Sequence, residues 1–292
     1  MLALMMLLQT ARQTLSTAAN LLRDPLDPDR PQPLDKDLVQ LLAPIFDAIL
    51  LRYFRGEVHG LERMPSGPAL LASNHNAGIT SFEPLLLGWL YHKHMGGDDA
   101  LHYLAHDIMV DTPIMGQLLV RLGSVRACHG AGDRVLAEGR KLLVFPGGNY
   151  EAFRPFWQRH QVDFHQRTGF ARLALRQRVP IVPVLSLGGH ETLMILHRGE
   201  TLARLLGAKR WLRSDSFPLF LGLPWGLCAG PMFHLPLPAK LLVEVGEPIS
   251  LDDYPEGAED DPEILQEVSQ RTEAAVQALM DARSAERRPF IG

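Results

Sequence analysis

The sequence predicts an α/β fold in which a mostly parallel central sheet is flanked by helices. Short runs of Val, Leu and Ile alternate along the chain with segments of helical length, the rhythm of βαβ units. The runs show no polar–apolar alternation, so we expect strands that are buried on both faces, as in parallel sheets. The predicted strands are residues 69–73, 101–105, 124–127, 142–145, 181–187 and 241–245.

Helices are predicted where apolar residues recur at helical spacing. Within the sheet region they cover residues 81–92, 112–121, 132–138, 170–177 and 262–283. Nearer the N-terminus, an amphipathic helix ends near Arg23, a proline-rich linker follows, and a second helix covers residues 36–55. We therefore expect N-terminal helices over residues 1–55, which face a membrane or pack on the core, and one α/β domain over residues 56–292.

Composition narrows the class of protein. Hydrophobic residues make up 46% and charged residues 21% of the 292 residues, as in globular proteins. The two cysteines, Cys128 and Cys228, are far apart, which excludes a disulfide scaffold and a thiolate zinc site and fits a reducing compartment. Residues 216–239 carry no Asp, Glu, Lys or Arg but hold five prolines. That segment predicts an irregular apolar wall rather than a spanning helix.

Charge is unevenly distributed. Residues 121–213 hold 16 Lys and Arg against six Asp and Glu, whereas residues 252–286 hold 11 acidic residues. A basic middle region suits a phosphate-bearing partner such as coenzyme A, a carrier-protein phosphopantetheine or anionic lipid headgroups, although a solvated basic surface gives the same pattern. No helix or aromatic pattern typical of nucleic-acid readers is present in the sequence, so we expect no nucleic-acid partner.

Two polar motifs follow predicted strands directly. Asn74 and His75 come after the first strand, where α/β proteins build their sites, and histidine suits proton abstraction near neutral pH. Gly147 and Gly148 follow another strand, and consecutive glycines let backbone N–H groups form a nest for a phosphate or an oxyanion. A structural histidine and a plain turn are the alternative interpretations of these two motifs.

The order of the blocks resembles the glycerolipid acyltransferase superfamily, which includes the 1-acylglycerol-3-phosphate acyltransferases. Its Asn-His, Gly-x-x-x-Arg, Phe-Pro-Glu-Gly-Thr-Arg and Val-Pro-Ile-Val-Pro blocks have counterparts at residues 74–75, 122–126, 145–148 and 179–184. The sequence Pro-Gly-Gly-Asn-Tyr-Glu at 146–151 is similar to the block of the monoacylglycerol and diacylglycerol acyltransferase-like branch.

The resemblance implies an acyltransferase that moves a fatty acyl group from acyl-CoA or acyl carrier protein to a lipid hydroxyl, with His75 as the general base. The groups expected to bind polar parts of donor or acceptor, or to form the nest, are Asn74, Arg126, Gly147, Gly148, Glu151, Arg154 and Arg167. We expect no metal and no cofactor besides the acyl thioester substrate, a membrane surface as partner, and a peripheral or monotopic location on its cytoplasmic side. A non-catalytic lipid-binding relative and an acyl-thioester hydrolase are the alternatives.

One position departs from the family pattern. Many members carry Asp five residues after the histidine, where it orients the imidazole, and this chain has Thr80 there. The next carboxylate is Glu83, which we expect either to replace the missing Asp or to close a capping box with Thr80 at the start of a helix.

Overall fold

The computed structural model describes residues 24–78, 81–96, 100–128 and 130–291. Within them a seven-stranded sheet with the order β1-β10-β6-β2-β5-β3-β4 lies beside a three-stranded sheet with the order β7-β8-β9. The strands are β1 (Glu57–His59), β2 (Ala69–Ser73), β3 (Leu101–Ala105), β4 (Ser124–Arg126), β5 (Lys141–Val144), β6 (Ile181–Leu187), β7 (Met194–His197), β8 (Leu219–Gly222), β9 (Gly226–Ala229) and β10 (Leu242–Val245).

The large sheet is mostly parallel. Strand β10 runs antiparallel to β6, and the other five neighbouring pairs are parallel. All five residues of β2 and all seven of β6 are buried, as expected for strands covered on both faces. The predicted α/β fold and the six predicted strands are confirmed.

Helices cover both faces of this sheet. They are α1 (Lys36–Phe46), α2 (Glu83–Met95), α3 (Asp107–Val110), α4 (Pro113–Arg121), α5 (Ala131–Ala137), α6 (Gly148–Ala152), α7 (Gly169–Gln177), α8 (Gly189–Thr192), α9 (Glu200–Leu205), α10 (Ala208–Trp211) and α11 (Pro262–Glu286). The five helices predicted in the sheet region are confirmed within three residues at each end. The start of α11 carries signals that are visible in the sequence. The Asp261 side chain caps the helix by accepting from the backbone N–H groups of Glu263 and Ile264. Pro262 follows at the first helical position, where its missing N–H group costs no hydrogen bond.

Two apolar clusters fill the space between sheet and helices. On one face, Leu70 and Ala72 of β2 pack with α7 and α11, and on the other, Ala69 and Leu71 pack with α1 and α2. Strand β2 therefore lies at the centre of the core.

The helix predicted over residues 36–55 is an α-helix only in its first part. Helix α1 continues as a π-helix over Asp47–Tyr53, and Val39, Leu50 and Phe54 are buried against the sheet. Residues 36–54 thus belong to the same core as the sheet. The first predicted helix falls within residues 1–23, which lie outside the described residues. Helices long and apolar enough to cross a bilayer are absent from the part of the chain that the structure describes.

The prediction of an irregular wall over residues 216–239 was wrong in part. The segment contains the antiparallel hairpin of β8 and β9, in which Phe220 pairs with Cys228 and Leu221 with Leu227. Prolines surround these strands but do not interrupt them, because they precede β8, lie in its turn or follow β9.

Candidate active site

The loop that carries His75 lies at the carboxyl end of β2, between β5 and β6. The carboxyl ends of three parallel neighbours meet at one edge, which is where open α/β sheets bind ligands. Residues 145–151 follow β5 and residues 188–192 follow β6. The structure therefore brings the two predicted motifs together with a third segment, residues 188–192.

The imidazole of His75 is partly exposed and packs on the ring of Phe145, with 4.6 Å between ring centroids. Its Nδ1 atom is buried and makes no hydrogen bond among the described residues. Burial lowers the pKa of His75 to about 4; the nearby Arg154 lowers it further, while the adjacent backbone of Asn76 opposes the shift. The ring is therefore neutral, and able to accept a proton, throughout the neutral range.

A buried ion pair holds the backbone of His75 from both sides. Glu151 Oε2 accepts from the His75 N–H at 2.8 Å, and Arg154 Nη2 donates to the His75 carbonyl at 3.3 Å. The two side chains also bind each other, with 2.8 Å between Arg154 Nη1 and Glu151 Oε1. Burial raises the pKa of Glu151, and the cation and the N–H donors around it act in the opposite direction.

The predicted role of Glu151 and Arg154 as substrate-binding groups is therefore corrected. Both side chains are almost completely buried, at 1% and 2% exposure, and each is bonded to the loop or to the other. These two residues position His75 and leave no surface for a ligand.

Asn76 connects the remaining polar groups. Its Oδ1 accepts from Arg154 Nη2 at 2.7 Å and lies 2.9 Å from His190 Nδ1. Its Nδ2 donates to Glu83 Oε1 at 3.0 Å and to the Ser186 carbonyl at 2.8 Å. The residue after the histidine therefore ties the loop to β6, to α2 and to the ion pair.

Asn74, also predicted to bind substrate, is fully buried. Its Nδ2 donates to the Ser186 carbonyl and its Oδ1 accepts from the Ser186 N–H, each at 2.8 Å. The side-chain amide thus makes the pair of hydrogen bonds to Ser186 of β6 that a backbone peptide group of a neighbouring strand would make. Its observed role is to fix the end of β2, which corrects the prediction.

Glu83 does not contact the imidazole in the described residues. Its Oε1 accepts from Asn76 and its Oε2 accepts from Ser81 Oγ at 2.9 Å. Helix α2 begins at Glu83 with Phe82 at the N-cap position, so Glu83 occupies the first helical position rather than the third, which a capping box requires. Thr80 lies outside the described residues. Glu83 reaches His75 only through Asn76, which corrects the expectation of a direct contact.

The two remaining arginines have different surroundings. Arg126 lies at the end of edge strand β4, where it forms ion pairs with Asp29, Asp107 and Asp111. The structure thus places Arg126 away from the His75 loop, contrary to the prediction. Arg167 is exposed, and its Nη1 donates to the Pro146 carbonyl at 3.1 Å, directly beside the glycine loop.

The two glycines are needed for different reasons. At Gly147 a Cβ would lie 2.5 Å from Glu151 Oε2, so a side chain there would displace the carboxylate that holds His75. Gly148 has φ +49° and lies under the guanidinium of Arg167. Its N–H donates to the Phe145 carbonyl at 3.0 Å. The backbone N–H of Gly148 is therefore already hydrogen-bonded within the loop. It does not point to a ligand, as the predicted phosphate or oxyanion nest would require.

The segment after β6 was not predicted to belong to the site. Gly189 lets α8 approach closely, since a Cβ there would lie 2.1 Å from Glu83 Oε1. His190 is buried, with its Nε2 3.1 Å from the Arg154 carbonyl, and burial and Arg154 hold its pKa well below the ordinary value. A signal was present in the sequence, because Gly-Gly-His-Glu directly follows a buried strand whose carboxyl end lies at the same edge.

Three or more His, Cys, Asp or Glu side chains do not come close enough to hold a metal ion anywhere in the described ranges. Both cysteines are free, with Cys128 exposed and Cys228 buried.

The segment that contains this loop is similar to a known protein family. Residues 55–186, which include His75, Gly147 and Glu151, match the protein-family model described as Acyltransferase. This part of the chain is similar to the Acyltransferase family.

Relatives extend the similarity beyond that domain. The uncharacterised protein Rv0502 of Mycobacterium tuberculosis is 32% identical over 241 residues, which are 82% of this chain and 64% of that protein. The human protein named DGAT1/2-independent enzyme synthesizing storage lipids is 28% identical over 245 residues, 82% of this chain and 65% of its own length. The chain thus spans slightly less than two thirds of the length of these relatives.

Among solved structures, the 1-acyl-sn-glycerophosphate acyltransferase PlsC from Thermotoga maritima has a TM-score of 0.49 and 16% identity, covering 95% of this chain and 98% of its own.

Proposed function

We propose that this chain is a glycerolipid-type O-acyltransferase that moves a fatty acyl group from an acyl thioester to a lipid hydroxyl. The observation that carries the proposal is the imidazole of His75, which is neutral, partly exposed and held at the carboxyl end of the central parallel strand. The similarity of residues 55–186 to the Acyltransferase family model and the name of the human relative, an enzyme synthesizing storage lipids, support the same class of reaction.

In the proposed reaction His75 acts as a general base. Since Nδ1 is buried, we assign the proton transfer to Nε2. This nitrogen takes the proton from the acceptor hydroxyl as the oxygen attacks the thioester carbonyl. The tetrahedral intermediate then collapses, the C–S bond breaks, and the imidazolium returns the proton to the leaving thiolate. The products are an ester and a free thiol, with no acyl-enzyme.

The donor proposed for this chain is acyl-CoA or an acyl carrier protein. Both carry phosphate groups, and Arg167 beside Pro146 and Gly148 is an exposed cation at the site that suits them. The acceptor is proposed to be a lysophospholipid, an acylglycerol or a similar lipid alcohol.

A lipid acceptor requires contact with a lipid surface. We propose that the protein works as a peripheral or monotopic protein on the cytoplasmic face of a membrane. Its free cysteines are compatible with the reducing conditions of that compartment.

The test is incubation of the purified protein with an acyl-CoA and a mixture of lipid acceptors, with product masses as the measurement. Ester formation supports the proposal. Release of free fatty acid alone identifies a thioester hydrolase, and unchanged substrates with bound lipid identify a lipid-binding relative. A folded His75→Ala variant should lose activity by roughly 10²-fold or more, the usual scale for removing a general base. Near-normal ester formation by that variant would remove His75 from the mechanism.

A further inference from the structure

The hairpin of β8 and β9 exposes an apolar face. Phe220 and Cys228 point inward and are buried, whereas the paired residues Leu221 and Leu227 are 41% and 68% exposed. An antiparallel sheet in water normally shows polar side chains on its open face. Large exposed apolar side chains continue through the turn and the segment after β9: Leu223, Trp225, Met232, Phe233 and Leu235.

This patch is also free of charge. Residues 216–239 contain no Asp, Glu, Lys or Arg. Contiguous exposed apolar surface of this kind marks a site of contact with a membrane or another protein.

Cations border the patch on one side. Helices α9 and α10 precede the hairpin and expose Leu205, Leu206 and Trp211 together with Arg204 and Arg210. Neither arginine pairs with a carboxylate in the part of the chain that the structure describes, whereas the neighbouring Lys209 pairs with Asp215 and Arg213 pairs with Asp107. The ring of Trp211 lies 6.2 Å from that of Phe217, just before β8, so the basic helices and the hairpin adjoin.

On the other side the patch meets the continuous helix formed by the end of α1 and the π-helix. Tyr53 donates from its hydroxyl to the Pro236 carbonyl at 2.6 Å, and Ile45, Ile49 and Tyr53 are each at least 40% exposed. Their spacing of four residues places them on one side of the helix. The exposed apolar side chains of this helix therefore adjoin the segment that follows the hairpin.

The inner face of the hairpin contacts the candidate active site. Phe220 and Cys228 pack in one cluster with Ala77, which lies two residues after His75, and with Phe153, which lies between Glu151 and Arg154. Any surface that binds the outer face of the hairpin therefore lies near the loop that carries His75.

We propose that this surface, formed by α9, α10 and the β8–β9 hairpin, docks on an anionic lipid bilayer. In the docked state the hairpin enters the headgroup region and Arg204 and Arg210 contact lipid phosphates. The proposal rests on the proposed function in that the acceptor is a lipid. A second copy of the chain is the competing occupant, but the hairpin offers it no carboxylate to pair with Arg204 and Arg210, whereas anionic headgroups complement both arginines. Tryptophan beside apolar side chains is typical of groups that sit at the headgroup level.

Flotation with lipid vesicles tests this proposal on the full chain. The variants are Trp225→Ser with Leu227→Ser in the hairpin, and Arg204→Glu with Arg210→Glu in the helices. The matched control is Ile114→Ser with Met115→Ser, since these α4 residues are also exposed apolar side chains. Vesicles of phosphatidylcholine alone are compared with vesicles that also contain phosphatidylglycerol.

We expect the hairpin variant to lose at least about tenfold in partitioning to anionic vesicles. The arginine variant should lose more than about twentyfold, since each basic residue near an anionic surface contributes about fivefold and the substitutions also reverse the charge. The control should bind like the native chain. In addition, lipids brominated near the headgroup should quench the native fluorescence more than that of Trp225→Phe.

Other outcomes overturn the proposal. Equal losses in hairpin and control variants would mean that the hairpin is not the docking surface. A native dimer that the hairpin substitutions convert to monomer, with vesicle binding unchanged, would assign the patch to self-association. Ester formation in detergent separates this proposal from the proposed function. If the chain forms ester but its flotation does not depend on the hairpin, only the docking proposal is disproved. If its flotation depends on the hairpin but it forms no ester, only the proposed reaction is disproved.

Discussion

Glu151 accepts a hydrogen bond from the backbone N–H of His75 at 2.8 Å, although the two residues are 76 positions apart in the chain. Together with Arg154, which donates to the carbonyl of the same residue, this carboxylate fixes the peptide groups on both sides of the proposed base. In the described residues the imidazole itself has no carboxylate partner on Nδ1. The ring is therefore oriented through its backbone and through its contact with Phe145.

Replacing Arg154 should affect turnover and stability rather than substrate affinity. Arg154→Lys keeps the charge but cannot make all the contacts to Glu151, His75 and Asn76, so we expect kcat to fall about tenfold or more while KM stays nearly constant. Arg154→Met leaves Glu151 buried without its cation and should cost about 3 kcal/mol or more.

The control for that experiment is Arg172→Met. Arg172 forms an exposed ion pair with Asp260, and its loss should cost less than about 1 kcal/mol and leave kcat unchanged. Steady-state kinetics and denaturant titration measure both effects. A rise in KM at constant kcat for Arg154→Lys would restore the substrate-binding role that the sequence predicted.

Glu83→Gln should keep most of the activity. The side chain touches Asn76 and Ser81, and a glutamine can still accept from Asn76 while its amide donates to the Ser81 hydroxyl. We expect turnover per folded molecule within about tenfold of the native value. Glu83→Ala, which removes an acceptor from a buried amide, should cost about 1–3 kcal/mol. A loss of about 10³-fold or more in a folded Glu83→Gln protein would contradict this and support direct action on His75.

The sequence predicted the sheet well, because its strands depend on local patterns. Buried strands show as uninterrupted apolar runs, and polar residues at their carboxyl ends meet at one edge. In the structure Glu151 lies beside both His75 and Gly147, each of which follows a predicted strand.

The roles of the individual side chains were harder to predict. Asn74, Glu151 and Arg154 are polar residues in a motif, and the sequence does not show whether their polar atoms face a cleft or the buried backbone. In the structure they bind residues 76–112 positions away, and such pairings arise only when the strands are arranged in space. The contribution of His190 was missed for the same reason, since its partners Asn76 and Arg154 come from two other loops.

The pH dependence of the reaction should reflect the low pKa of His75. A histidine with its ordinary pKa would lose activity below about pH 6.5, whereas a base with a pKa of about 4 stays neutral well below that. We expect kcat/KM to be nearly constant from pH 8 to about pH 5 and to fall below it. An acid limb near pH 6.5 would mean that the pKa of the base is not depressed.

The lowered pKa of His75 also makes the stability of the fold depend on pH. Between pH 6.5 and about 4 the unfolded chain binds a proton at this histidine and the folded chain does not, so stability falls as the pH decreases through that range. Buried His190, whose pKa is also lowered, contributes in the same direction. Thermal unfolding should show a smaller loss between pH 7 and pH 5 in His75→Gln than in the native chain.

Arg167 and Arg126 should separate binding from structure. Arg167 is exposed beside the glycine loop, so Arg167→Ala should raise KM for the phosphate-bearing donor by about tenfold with little change in unfolding temperature. Arg126 is surrounded by Asp29, Asp107 and Asp111, so Arg126→Ala should lower stability and leave KM unchanged. A raised KM in Arg126→Ala, with an unchanged KM in Arg167→Ala, would place Arg126 in the binding site.

Gly147→Ala tests the steric link between the glycine loop and the base. The backbone at Gly147 has φ −66° and ψ −21°, which alanine adopts without strain, so any effect comes from the added methyl group. That Cβ would lie 2.5 Å from Glu151 Oε2 and 2.6 Å from the Asp163 carbonyl, and neither neighbour can yield without moving the buried ion pair.

We expect Gly147→Ala to lose at least about 1–3 kcal/mol of stability through overpacking, and to lose turnover because Glu151 no longer holds the His75 N–H. Gly67→Ala is the matched control, since a Cβ there meets nothing within 4 Å. Normal turnover and melting in Gly147→Ala would show that the loop adapts and that Glu151 does not fix the base.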